Sequence, residues 1–194
     1  MEGNQFATAY ALSTSVGLRA FMTLALAALA VHFGYLHPSA PFAWLGADGT
    51  MWTLLGLAAL EFFADKIPAV DNVLHAISFA TKPLAAAILV GSAVPAGTPD
   101  AGLYTAMFLG AANALGIHTA SATARAASTA MTFGLGNPIL SVIEDGIALA
   151  GVAISFFVPV LGAFIAIVLT VFVVSLARRA WLYLRSKREP ARAG

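Results

Sequence analysis

The stretch SVGLRAFMTLALAALAVHFGYL, residues 15–36, decides the fold class: one arginine, Arg19, is followed by seventeen residues, 20–36, without Asp, Glu, Lys or Arg. A helix needs about 20 mostly apolar residues to cross a hydrocarbon core of roughly 30 Å, so this run reads as most of one span. Residues 84–95, 103–117 and 147–177 repeat the pattern. Over all 194 residues the chain is 60% hydrophobic and 10% charged, against roughly 25% charged in ordinary soluble domains. A soluble all-α core would leave too few polar residues to cover its outside. The composition therefore reads as that of an integral membrane protein with the bilayer as its partner.

Charge distribution suggests orientation. Arg178, Arg179, Arg185, Lys187, Arg188 and Arg192 crowd the C-terminus, opposed by Glu189, and the positive-inside rule puts such a tail in the cytoplasm. A basic run also suits nucleic acid, but one abutting an apolar span reads as a topology anchor, and no nucleic-acid partner is expected. The N-terminus, MEGNQFATAY, carries an acid and no basic region, so the first span is expected to be retained rather than cleaved. Absence of cysteine excludes disulfides, thiolate ligands and thiol catalysis. The Ala-rich, Cys-free composition hints at a bacterial inner (cytoplasmic) membrane.

Punctuation gives the plan. HPSAPFAWLGADG (37–49) and VPAGTPDAG (94–102) read as loops, with Trp44 and Trp52 as belt residues at a membrane surface. The second loop splits the chain into similar halves, and both carry S-x-x-x-R-A-x-x-T, at 15–23 and 121–129. Each half then runs to a D-G pair, Asp48-Gly49 and Asp145-Gly146, and to an F-F pair, Phe62-Phe63 and Phe156-Phe157. Three spans per half is odd, so a repeat would re-enter the membrane upside down. The expected fold is all-α: a single polytopic membrane domain of about six transmembrane helices, built as two inverted three-helix repeats (about 6–95 and 102–178) with broken or re-entrant helices. Residues 179–194 form the basic cytoplasmic tail.

Chemistry concentrates where charge is most expensive. Residues four apart share a helical face, so Ser15, Arg19 and Thr23 form one polar stripe and Ser121, Arg125 and Thr129 its counterpart, widened by His118, Ser128 and Thr132. An arginine at membrane depth costs roughly 3 to over 10 kcal/mol unless it finds water or a partner. Glu61 and Asp65 are likewise four apart, with Lys66 adjoining, Pro68 interrupting and Asp71 beyond. Glu144 and Asp145 lie inside a helix expected to start with Asn137 as N-cap and Pro138 at its first position. Arg19, Glu61, Asp65, Lys66, Asp71, Arg125, Glu144 and Asp145 are thus the expected substrate- or ion-binding set. Structural roles compete: Asp71 as cap of a helix starting near Val73, Lys66 reaching a headgroup, and Lys82-Pro83 as another helix start. Further breaks or close helix contacts are expected at Pro68 and within 110–128.

GLRAF (17–21), EFFADKIPAVDNVLH (61–75) and GNPILSVIEDG (136–146) resemble the bacterial membrane-protein family catalogued as domain of unknown function 4126. The resemblance runs from about residue 10 to 178, and E-x-x-A-D-K-I-P-x-x-D is its most specific string. It implies an integral membrane protein and brings no activity to carry over.

Four functions compete. A small transporter or channel for an ion or small polar solute uses a buried charged site where the repeats meet: carboxylates without thiols suit protons or hard cations, and arginine beside Ser and Thr suits an anion. A scramblase or headgroup carrier would put the same arginines on lipid phosphate. An assembly subunit would use the charges as locks between helices. An enzyme would use Glu61 and Asp65 as acid and base with His75 or His118, but H-E-x-x-H, G-x-S-x-G and a Gly-Lys phosphate loop are all missing. The expectation is a non-enzymatic transporter or channel without cofactor, with homo-oligomerisation and metal binding open.

Overall fold

The computed structural model describes residues 2–188, which are mostly helical, with no strand among them. Its seven α-helices are α1 Glu2–Leu18, α2 Ala20–His32, α3 Asp48–Ala64, α4 Pro68–Ala93, α5 Asp100–Thr132, α6 Asn137–Phe157 and α7 Pro159–Arg188. A short 3-10 helix, Ala40–Gly46, fills the first expected loop. The second falls between α4 and α5 as expected. Glu189 and Arg192 of the basic tail lie outside the described residues.

Helix boundaries follow proline chemistry at two places. A residue before proline is pushed away from helical backbone: Ile67 (φ −104°, ψ 109°) is extended and Val158 (φ −139°, ψ 70°) is non-helical, with Pro68 and Pro159 opening α4 and α7. The apolar stretch 147–177 is therefore two helices rather than one. Pro83 behaves otherwise: it lies inside α4, so Lys82 marks no helix start. Asp71 is in the first turn of α4, which begins before Val73; the Asp71 and His75 side chains lie outside the described residues. The segment 110–128 contains no break, being part of the 33-residue α5.

α1 is the central helix, packed against α4, α5, α6 and α7, while α2 lies along α3 and α4 along α5. Leu12 and Val16 of α1 are fully buried with Leu89 of α4 and Ala114 of α5. A polar clasp joins α1, α5 and α7: the Asn113 amide donates to Ser13 Oγ (2.9 Å) and Thr14 Oγ1 (2.8 Å), and Thr170 donates to Asn113 Oδ1 (3.2 Å). Close approach of α1 to α5 depends on Gly17, where a Cβ would stand 2.6 Å from Ile117 Cβ and 2.8 Å from the Ala114 carbonyl oxygen. Backbone cannot yield as a side-chain tip can, so Gly17→Ala is expected to destabilise by about 1–3 kcal/mol, the usual cost of overpacking. Thermal unfolding in detergent checks this, with Gly116→Ala, which meets open space, as the control.

The outer surface is apolar. Phe108, Phe133, Phe157 and Phe164 are all well exposed. Among the described residues, two helical stretches, Ala76–Ala93 and Asn137–Phe157, are long and apolar enough to cross a membrane by length and composition. Only 28% of the second is buried within the protein, so its apolar side chains mostly face outward. Ala20–His32 is a shorter apolar helix, because α2 ends before the turn at Phe33 and Gly34. α3, 17 residues long, ends at Ala64 with Asp65 as its C-cap, so Glu61 lies inside the helix directly after the apolar run 51–60.

The repeated landmarks occupy different settings. Arg19 has extended backbone (φ −136°, ψ 99°) between α1 and α2, whereas Arg125 is inside unbroken α5. Asp48 is 81% exposed and sits 3.4 Å from His32 Nδ1, whereas Asp145 is buried in α6.

Candidate functional site

The break at Arg19 frees polar backbone in the middle of the protein. Helix ends leave N–H and C=O groups without partners within the helix, and these ends carry partial positive and negative charge respectively. Here each end meets the opposite charge. The N–H groups of Ala20, Phe21 and Met22, which open α2, donate to the Glu61 carboxylate at 3.0, 3.0 and 3.1 Å. The Leu18 carbonyl, which ends α1, accepts from Lys82 Nζ at 2.8 Å. Lys82 also lies 3.1 Å from His118 Nδ1; an ammonium has no acceptor, so that ring nitrogen is the acceptor. Two backbone bonds still step over the break, Arg19 N–H to the Ser15 carbonyl (2.9 Å) and Thr23 N–H to the Arg19 carbonyl (3.2 Å).

Arg19 itself, 4% exposed, is the hub of an ion-pair network. Its guanidinium pairs closely with Asp65, lies 2.7 Å from Asp145 Oδ1 and 3.7 Å from Glu144 Oε2, and donates to the Ser141 carbonyl and hydroxyl oxygens at 3.0 and 2.9 Å. Ser141 Oγ in turn donates to Asp65 Oδ2 at 2.6 Å. The planar fork of arginine suits such multiple engagement.

The second arginine arrives on a hairpin. Phe133 (φ 53°) and Gly134 (φ 86°) adopt left-handed backbone after α5, reversing the chain within four residues, so α6 returns with Glu144 facing Arg125. Arg125 donates to Glu144 Oε2 at 2.5 Å, and Ser121 donates to Oε1 of the same carboxylate. Arg125 also approaches Asp65 Oδ2 at 3.8 Å, which links the two arginines through shared carboxylates. Lys66, partly exposed, bridges Asp145 (3.2 Å) and Asp65 (3.4 Å), donates to the Phe62 carbonyl (2.6 Å) and rests 3.5 Å from the Phe62 ring centroid. It turns inward rather than to a headgroup.

Of this assembly, Arg19, Glu61, Asp65, Lys82, Arg125 and Glu144 line one cavity of about 150 Å³, together with Ser78, Thr81 and apolar residues of α2, α3 and α4. Seven of the eight expected site residues belong to this assembly; the Asp71 side chain is outside the described residues.

The polar stripes divide. Ser121 and His118 serve the site. Thr129 donates to the Arg125 carbonyl and accepts from the Asn137 amide, so it braces the hairpin. Asn137 is the first helical residue of α6 and not its cap, which is Gly136. Ser15 lines a separate, apolar cavity of about 240 Å³ between α1, α6 and α7. The Thr23 hydroxyl is buried without a hydrogen-bond partner among the described residues. A stripe through Ser15, Arg19 and Thr23 presupposes a continuous helix, which the break removes.

Sequence reasoning missed Ser141 and misread Lys82. The signal for Ser141 was its position three and four residues before Glu144 and Asp145, on their helical face. Among the described residues no three His, Asp or Glu side chains gather as a metal-ligand set.

The extended arginine at residue 19, the acidic α3 end and the α6 carboxylates are the GLRAF, EFFADKIP and GNPILSVIEDG strings seen in three dimensions. The chain belongs to the DUF4126 family. The family model, described as domain of unknown function (DUF4126), matches residues 6–179, from α1 into α7. No curated protein and no solved structure matches the chain. DUF4126 membership therefore spans the whole charge network and assigns it no reaction.

Proposed function

We propose that the protein is a small multi-pass transporter or channel of a bacterial inner membrane, moving an ion or small polar solute, with a cytoplasmic C-terminus. The observation that carries this reading is the broken helix: α1 and α2 end and restart at Arg19 beside a charged cavity, each freed end matched by a counter-charge. Discontinuous helices whose ends face a polar site are the recurring device of membrane transporters, and irregular backbone at membrane depth is tolerated where it lines a cavity. The two motif arginines, one from each half, meet through shared carboxylates, which supports two inverted three-helix repeats with the site between them.

The close mutual pairing of the charges favours a second reading, an assembly subunit whose ion pairs only lock helices together. Reconstitution separates the two. Purified protein in phosphatidylethanolamine–phosphatidylglycerol liposomes is expected to raise proton, sodium, potassium or chloride flux above that of empty liposomes. Ser78→Phe, which fills the cavity without touching a charge, is expected to return the flux to the empty-liposome rate while the protein still elutes as a single species. Absence of flux for every probe with the unaltered protein would leave the assembly reading standing.

A further inference from the structure

Glu61 and Lys82 stand apart from the other charges around the cavity. Asp65 is paired with Arg19, Glu144 with Arg125, and Asp145 with Lys66 and Arg19. Glu61, by contrast, is held by backbone N–H groups, and Lys82 by a carbonyl and an imidazole. Both border the cavity, together with Arg19, Asp65, Arg125 and Glu144, so its lining carries three cations and three carboxylates.

Resting on the transport reading, we infer that the cavity loads in electroneutral form: a small monovalent anion settles against Lys82 while a proton binds Glu61. An unaccompanied charge entering a balanced, low-dielectric site meets a large desolvation cost with no counter-charge to offset it. A proton on Glu61 forms one O–H bond, turns that carboxylate neutral and leaves the lining with one net positive charge. The anion cancels it. A proton given up by hydronium and an anion drawn from the same solution thus enter as one neutral pair: the O–H bond formed on Glu61 replaces the one broken in hydronium, which leaves as water, and no other bond changes.

The groups facing Glu61 fit this division. Across the cavity they are Arg19 at the break, Asp65 at the end of α3, Lys82 of α4, Arg125 of α5 and Glu144 of α6; of these, both carboxylates and both arginines are tied to one another. Neutral Glu61 also holds the α2 N–H groups less strongly than the carboxylate does, since charge-assisted hydrogen bonds are roughly twice as strong as neutral ones. Loading therefore loosens α3 from α2. Size agrees as well: about 150 Å³ accommodates a chloride or nitrate with a few waters, each water taking roughly 30 Å³ in the liquid. Hard cations fit poorly, because the paired carboxylates are occupied and form no ligand set.

The test uses the full chain in liposomes holding a pH-sensitive dye, with potassium and valinomycin clamping the potential at zero and an inward gradient of chloride or nitrate. The expected result is internal acidification that needs the anion, persists under the clamp, and is lost in Glu61→Gln. Acidification with gluconate as the sole anion, or chloride and nitrate currents without acidification, would overturn the inference while leaving a transporter or channel. Absence of proton, sodium, potassium, chloride and nitrate flux alike would overturn both readings. The unaltered protein decides each outcome, so the result stands even where Glu61→Gln does not fold.

Discussion

Arg19→Ala is expected to destabilise the folded protein by about 3–5 kcal/mol, the usual cost of removing one partner from a buried ion pair. The expectation is at the upper end because the loss is multiple: Asp65 loses its closest cation, Asp145 a neighbour at 2.7 Å, and the Ser141 carbonyl and hydroxyl their donor. Arg19→Lys is expected to recover only part of this, since a single ammonium cannot reach Asp65, Asp145 and Ser141 from one planar fork. Arg178→Ala, at an exposed position, should stay within about 0.5 kcal/mol of the parent, as surface substitutions do. Thermal or denaturant unfolding in detergent micelles measures all three. An Arg19→Ala protein as stable as its parent would remove Arg19 as the hub of the network.

The second large effect belongs to Glu61. Glu61→Ala leaves three N–H groups of α2 without their acceptor, and hydrogen bonds to charged groups contribute about 1.5–3 kcal/mol each when a partner is removed. A water entering the adjoining cavity offsets part of that, so the expected net loss is about 2–4 kcal/mol, between one such bond and two. Glu61→Gln keeps one acceptor oxygen at nearly the same volume and is expected to lose less than half as much. The distinctive readout is local: amide exchange at Ala20, Phe21 and Met22 should speed up in Glu61→Ala more than exchange in α5. Uniform acceleration across all helices would mean that Glu61 acts on global stability and not on the α2 end.

Much of this architecture is legible in order of residues. The gaps at Ile67 and Val158 are written as Pro68 and Pro159, because proline disfavours helical backbone at the residue before it, although Pro83 shows that packing can override that bias. Hydropathy hides the second, because the apolar stretch 147–177 continues through it and carries no information about backbone dihedrals. The pairing of Arg125 with Glu144 is nearly local, set by a short hairpin whose glycine is visible in the sequence. Lys82 was harder. A lysine before a proline resembles a helix start, and only the packing of α4 against α1 and α5 turns it onto the Leu18 carbonyl.

The sequence by itself determined that the chain is helical, that its surface is apolar, and that the charges of Arg19, Glu61, Asp65, Arg125, Glu144 and Asp145 had to be reconciled inside it. Those follow from composition and spacing, which act over a few residues. Tertiary structure alone decided that α1 stops before Arg19 and α2 restarts after it, and that Glu61 serves a helix end instead of an arginine. No local signal marks that break, since Gly17 is inside α1 and no proline is near. The groups that stabilise it lie 41 residues away in Glu61 and 64 residues away in Lys82, and their electrostatic energy exists only once the fold has brought them to the severed helix.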